Sequence, residues 1–381
     1  MKDLILLVNK DTFFLSHRLG IALEAQRRGR RVTIVTRDSG HIDEIRRLGF
    51  EAVPLPMPPS SISLKADSLT LLKLIRYYRR HPGCIYHHVG MKLILMGSIA
   101  ASLTRPAAVV NAVCGLGSFV NLPKWVIGGV LGAIRRSMQR LQRRSPQTPV
   151  TSIFQNHDDP LMFKSAGVPL GREVYLHGSG VDLTLWAHCP EERREGEPLS
   201  ILFSGRMLRS KGVEDFCSAA ELLREEMEGK VVFDLCGGVT GKPGELTAED
   251  MHRLTDGRYI RWHGDRSDIS EWLRRSAVIY FPSYYREGLP KSLIEAAAIG
   301  RPIITADSPG SRAAIEDGRN GYLVAPRSPE AAVPLLRRLI GDPALRDRLG
   351  RESRRLAEER YDIRDIVEAH MRVYDDDIAT T

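Results

Sequence analysis

Short apolar runs alternate along the chain with longer stretches whose apolar residues recur every three or four positions. LILLVN (4–9) comes first, followed by a stretch in which Leu15, Leu19, Ala22 and Leu23 share one face. That pattern predicts a strand, then a helix from about Thr12 to Arg28. VTIVT (32–36), AVPL (52–55), CIYHH (84–88), AAVVNAV (107–113) and VTSIF (150–154) continue the series of strands. A polar, Pro-bearing stretch, HCPEERREGEPLS (188–200), interrupts it and reads as a linker. The alternation restarts with ILFSG (201–205), VVFDLCG (231–237), YIRWHG (259–264), AVIYFPS (277–283) and PIITA (302–306), and turns helical beyond Pro329. Strand–helix alternation of this kind predicts an α/β protein with parallel sheets covered on both faces. The expected organisation is two tandem doubly wound domains, 1–187 and 201–360, and a helical tail, 361–381. Such sheets bind ligands beyond the carboxyl ends of their strands, so the site is expected in the cleft across which the domains face each other.

Length and composition agree with this picture and narrow the context. A chain of 381 residues exceeds one ordinary core and suits two domains. A 43% hydrophobic and 27% charged composition is that of a globular protein. No apolar run approaches spanning length, and Met1-Lys2-Asp3 leads straight into a strand-like run. Neither a membrane-crossing helix nor a secretory signal is therefore expected. The five cysteines are scattered without a CxxC pair, which fits a reducing cytoplasm and argues against disulfides or zinc. The net charge of +8 is uneven: residues 1–190 hold 25 Lys+Arg against 12 Asp+Glu, and the remainder 30 against 35. The basic half is the part expected to meet an anionic surface, whether nucleic acid, lipid or a phosphorylated substrate.

Two segments carry candidate chemistry. Ser204-Gly205-Arg206 follows a strand, and Lys211-Gly212 opens the next helix. A guanidinium, an ammonium and a helix end on one loop make a diphosphate clamp, with a solvated basic loop as the alternative. In YYREGLPKSLIEAAAIGRPII, Glu287 precedes a Gly-Leu-Pro turn, and Pro290 sits at the helix start, where its missing N–H costs nothing. The backbone N–H groups of Gly288, Leu289 and the first helical residues can then face an anion. Glu295 follows on an otherwise apolar helix, where a carboxylate needs partners: two ribose hydroxyls, or an arginine of the core.

SGRMLRSKGV and PSYYREGLPKSLIEAAAIGRPII together resemble the signature of glycosyltransferase family 4, retaining enzymes of the GT-B fold with two Rossmann-like domains. HGSGVDL (177–183), HGDRSDISEWL (263–273) and DGRNGYLV (317–324) are similar to further segments of that family. The resemblance implies that Arg206 and Lys211 bind the donor diphosphate, Glu295 the ribose and Glu287 the donor hexose, with Gly205, Gly288, Leu289 and Pro290 completing the donor site. Arg206, Lys211 and Glu287 would be catalytic. FFLSHRLGIALEAQRRGRRVTIVT, CIYHHVGMKLILMGSIAA, VVNAVCGLGSFV and FQNHDD are similar to enzymes extending polyprenyl-diphosphate-linked glycans. Ser16, His17, Arg18, Lys92, Gly115 and Gly117 then become candidates for the acceptor. The double-Gly loop that many members carry after the first strand is absent.

The implied reaction moves a sugar from a UDP-sugar to a lipid-diphosphate-linked sugar acceptor, with retention and without a metal or other cofactor. Asp158-Asp159 is not a DxD pair, and Asp375-Asp376-Asp377 lies in the tail. His87 and His88 are adjacent on a strand, so their side chains point to opposite faces and cannot share an ion. His88 points either into the cleft or into the core. LPKWVIGGVLGAIRRSMQRLQRR (122–144) has a Trp-bearing apolar start and a basic end. It reads either as an interfacial helix on the cytoplasmic membrane face or as an ordinary packed helix. A nucleotide-sugar 2-epimerase of the same fold is the alternative enzyme. A nucleic-acid-binding protein would explain the basic half, but no stacking platform or recognition motif supports it.

Overall fold

The computed structural model describes residues 1–57, 64–191, 196–241 and 244–379. The chain divides into two compact units, Met1–Ser179 with Arg364–Thr381, and Gly180–Ile363. The first holds strands β1 (Leu4–Leu7), β2 (Val32–Thr36), β3 (Glu51–Pro54), β4 (Ile85–Val89), β5 (Ala108–Val113), β6 (Val150–Phe154) and β7 (Arg172–Tyr175). They form one parallel sheet in the order β3-β2-β1-β4-β5-β6-β7. Helices cover both faces, so the inner strands are buried at every position rather than alternately. In β1, Ile5 and Leu7 enter one core cluster while Leu4 and Leu6 enter the other, as the period of two requires.

The second unit repeats the plan with β8 (Leu199–Ser204), β9 (Val231–Cys236), β10 (Ile260–Trp262), β11 (Ser276–Phe281), β12 (Ile303–Ala306) and β13 (Gly321–Val324). Its parallel order is β10-β9-β8-β11-β12-β13. In each sheet the order reverses between two neighbouring strands, β1 and β4 in the first, β8 and β11 in the second. A crevice opens beyond the carboxyl ends of strands at such a switch point, because the following helices leave toward opposite faces.

The helix expected from Thr12 to Arg28 is two helices, Asp11–His17 and Leu19–Arg27, parted at Arg18. Strands β7 and β13 join edges the sequence pattern did not mark. The segment 188–200 lies within the second unit, and its residues 192–195 fall outside the described ones. Beyond Pro329 come helices Pro329–Gly341, Pro343–Arg360 and Ile363–Ala379. The last returns to the first unit, where Met371, Val373 and Tyr374 are buried in the cluster that holds Leu4 and Leu6. No helix among the described residues is long and apolar enough to cross a membrane.

Candidate functional site

In the second unit the loops beyond β8 and β11, the two strands at the switch point, are locked together by close backbone approaches. A Cβ on Gly212 (φ +79°) would lie 2.2 Å from the Pro282 carbonyl oxygen. One on Gly310 (φ +84°), in the loop after β12 that packs on the loop beyond β11, would lie 2.3 Å from that of Gly288 and 2.5 Å from that of Glu287. Only glycine permits both the left-handed turn and the contact. The Tyr284 backbone N donates to the Ser210 carbonyl at 3.0 Å, a further tie between the loops.

This backbone brings Gly205, Lys211 and Glu287 together. Lys211 is nearly buried, with its ammonium 3.1 Å from Glu287 Oε1 and 5.2 Å from the Phe281 ring centroid. Ser283 Oγ donates to the same Oε1 at 3.5 Å. A Cβ on Gly205 would meet Phe281 at 3.3 Å and the Lys211 side chain at 3.5 Å, so the glycine leaves the ammonium its room. Arg206, next to Gly205, is open to solvent: its side chain is 47% exposed and its guanidinium stands 4.0 Å from Glu245, at the outer limit of an ion pair. Glu245 is in turn held by the Thr240 backbone N at 2.7 Å and by the Thr240 hydroxyl.

Pro290 is the N-cap of the helix Lys291–Ile299, one position earlier than a first helical residue. Its carbonyl accepts from Leu293 N at 3.1 Å and begins the helical ladder. Gly288 and Leu289 are buried just before it. Glu295 is 12% exposed at its side chain, and its ion-pair partner among the described residues is Lys291, at 3.6 Å on the preceding turn, not an arginine of the core. Burial pushes its carboxyl up to about 7 against the pull of Lys291. The i,i+4 spacing in KSLIE was the available signal for this pair.

In the first unit, Ser16 donates to the Thr12 carbonyl at 2.7 Å and lies 2.7 Å from His17 Nδ1, and His17 stacks on Phe13. Arg18, at the break between the two helices, is 2% exposed. Its guanidinium lies 2.9 Å from Cys114 Sγ, its Nε has no partner, and no carboxylate forms an ion pair with it among the described residues. Gly115 (φ +88°) and Gly117 (φ +51°) shape the loop that follows Cys114. Lys92 is not part of this group in the structure; it forms an ion pair with Asp67 at 2.6 Å.

Sequence reasoning missed Asp11. Buried at the start of its helix, it accepts from the backbone N of Thr12, Ser39 and His41 and from the Ser39 hydroxyl, pinning the loops after β1 and β2. Burial alone would raise its carboxyl, but these four donors hold it below its ordinary value. His87 and His88 do face opposite ways. The first meets the Tyr374 hydroxyl at 2.6 Å, the second Asn111 Oδ1 at 2.8 Å, and both are fully buried, so His88 belongs to the core. No group of three or more His, Cys, Asp or Glu among the described residues is placed to hold a metal.

Residues 187–356, which contain the Lys211–Glu287 pair and Glu295, match the family model of glycosyl transferases group 1, and residues 3–136 match that of glycosyl transferase 4-like proteins. Both are models of glycosyl transferase domains, and between them they span most of the chain. Glycogen synthase of Mycobacterium tuberculosis is 26% identical to this chain over 250 residues, 66% of the chain and 59% of the synthase's own length. The N,N'-diacetylbacillosaminyl-diphospho-undecaprenol alpha-1,3-N-acetylgalactosaminyltransferase of Campylobacter jejuni is 23% identical over 95% of the chain and 97% of its own length. Among solved structures, Anabaena HepE in complex with UDP superposes with a TM-score of 0.78 at 16% identity, covering 99% of this chain and all of HepE. That likeness establishes the fold as two Rossmann-like halves.

Proposed function

We propose that the chain is a retaining glycosyltransferase that moves a sugar from a UDP-sugar to a hydroxyl of a lipid-diphosphate-linked sugar acceptor. The observation that carries the reading is the pair of nearly buried Lys211 and partly buried Glu287 at the switch point, between a basic loop and a helix start. A diphosphate seated there gains charge as the anomeric bond breaks. Lys211, Arg206 and the amide groups opening the helix Lys291–Ile299 stabilise that charge more than they stabilise the bound donor. Glu287 orients the hexose, Glu295 takes the ribose hydroxyls, and the departing phosphate accepts the acceptor proton on the same face. No carboxylate nucleophile is required, in contrast to a retaining glycosidase.

The acceptor reading draws on the name of the Campylobacter relative and on Arg18. A buried guanidinium without a carboxylate is a costly arrangement unless an anion joins it. Ser16, His17, Gly115 and Gly117 stand nearest in sequence to that group, and Lys92, engaged by Asp67, is the weakest of the acceptor candidates. HepE was crystallised with UDP and with UDP-glucose, which supports the choice of nucleotide. The work place is the cytoplasmic face of the membrane, reached through the basic half, in bacterial surface-glycan or glycoprotein-glycan assembly.

The test is a panel of nucleotide-sugars offered with and without a polyprenyl-diphosphate-linked sugar. One UDP-sugar is expected to be consumed rapidly only when the acceptor is present, and EDTA is expected to leave the rate unchanged. Isomerisation of UDP-GlcNAc without acceptor would make the chain an epimerase. Loss of activity in EDTA with recovery on added magnesium or manganese would overturn the metal-free mechanism.

A further inference from the structure

Arg327 lies beyond the carboxyl end of β13, just before the helix Pro329–Gly341. It is the non-glycine residue with left-handed backbone among the described residues, at φ +57°. A Cβ makes that conformation unfavourable, and glycine would adopt it freely. The side chain is exposed, so no core packing compensates. What it does make is a stack: its guanidinium carbon stands 4.5 Å from the centroid of the Tyr284 ring. A planar guanidinium over a phenol ring is a favourable cation–π geometry. Its field also reaches Asp215, in the first turn of the helix Val213–Met227. Burial raises that carboxyl, Glu214 raises it further, and Arg327 pulls it back.

Tyr284 is where this contact meets the proposed site. Its backbone N is bound to Ser210, the residue before Lys211. On one side of it, Ser283 donates to Glu287 Oε1; on the other, the Tyr285 carbonyl accepts from the Glu287 backbone N at 2.8 Å. A ring that shifts would carry these two contacts of Glu287 with it. Strained backbone at an exposed residue, retained where glycine would relieve it, points to a side chain with a task. We infer that Arg327 is a positioning residue: stacked on Tyr284, its guanidinium holds the 283–287 loop in the conformation that sets Glu287 against Lys211. The catalytic consequence rests on the proposed transfer reaction; the loop contact does not.

The experiment compares wild type with Arg327→Gly, Arg327→Lys, Tyr284→Ala and Tyr284→Phe. Amide hydrogen exchange over residues 283–288 is read first, without any substrate. Arg327→Gly is expected to speed exchange there about fivefold, the weight of one exposed cation–π contact, with no loss of thermal stability. Tyr284→Ala should do the same and Tyr284→Phe should not, since the ring remains. With donor and acceptor, Arg327→Gly is expected to lower kcat about fivefold and leave the KM for the nucleotide-sugar within twofold, with Arg327→Lys between it and wild type. Unchanged exchange would overturn the inference whatever the chemistry. A raised KM with intact kcat would overturn it too, by making Arg327 a donor ligand. Faster exchange in a protein whose wild type transfers no sugar would leave the loop contact standing and sink the transferase reading.

Discussion

Glu295 sits on a helix otherwise lined by Leu293, Ile294 and Ala296 to Ala298, and burial lifts its carboxyl from 4.5 to about 7. An acid whose folded pKa stands above its unfolded one favours the folded state only while protonated. Stability is therefore expected to fall as pH climbs from about 4.5 through about 7, and to level off above. Glu295→Gln, neutral at every pH, should gain on the order of 2–3 kcal/mol at pH 8 and almost nothing at pH 4, measured by denaturant titration. The same variant should bind UDP more weakly, because an amide replaces the acceptor of two ribose hydroxyls, whereas Glu287→Gln should spare UDP and lower turnover. Calorimetry showing equal UDP affinity losses would reverse the two assignments. Arg206→Ala and Lys211→Ala should each slow turnover about 30- to 1000-fold, the weight of a charge-assisted contact to a developing diphosphate. Arg206 is half exposed, so its variant should melt like wild type. Lys211 is nearly buried against Glu287, and its removal takes a charged partner from that carboxylate. A modest stability loss for Lys211→Ala alone is the expected contrast.

Elements were legible in the sequence to the degree that burial made them so. The inner strands are buried on both faces and mostly apolar, and each stood out as a run. β7, REVY, is a partly exposed edge, and β13, GYLV, has half-buried residues in its middle, so neither carried that signal. The break at Arg18 was invisible because a helical period survives it: Ala22 N still reaches the Arg18 carbonyl at 3.1 Å. The helix Lys124–Arg144 is packed along one face and open along the other. Leu131, Ile134, Met138 and Leu141 are buried, Ile127 and Val130 pack against the core, and Arg135 reaches the Ala166 carbonyl. Trp125 is 80% exposed, and Gly128, Gly129, Arg136, Arg140, Arg143 and Arg144 are exposed beyond it. That leaves Trp125 as the residue for insertion and four arginines for an anionic surface, each contributing about 1 kcal/mol. Co-sedimentation with anionic vesicles should be strong at low salt and largely lost at high salt. Changing those four arginines to Gln should abolish it without touching UDP binding, and a wild type that stays in the supernatant would assign the helix to packing alone.

At the scale of the whole molecule, the family signature in two stretches pointed to the group that Gly205, Lys211 and Glu287 form. Their mutual distances depend on Gly212, Gly237 and Gly310, whose importance lies in backbone approaches between segments far apart in sequence. A Cβ on Gly237, for instance, would fall 1.8 Å from the Gly205 carbonyl oxygen. No local pattern announces such contacts. The helix Ile363–Ala379 is a second case: its apolar face was readable, its destination was not. It buries Met371, Val373 and Tyr374 on the first sheet, and its Asp375 pairs with buried Arg30 at 2.5 Å. The time at which each unit can be finished on the ribosome follows from that. Domains ordinarily fold in the order in which they are made. Here the second unit has all its strands while the first still lacks a wall of its core, so the half begun first is completed last. Nascent chains arrested before residue 363 should protect 180–350 from protease and leave 1–179 open to it, and full protection should appear only once the last helix has emerged.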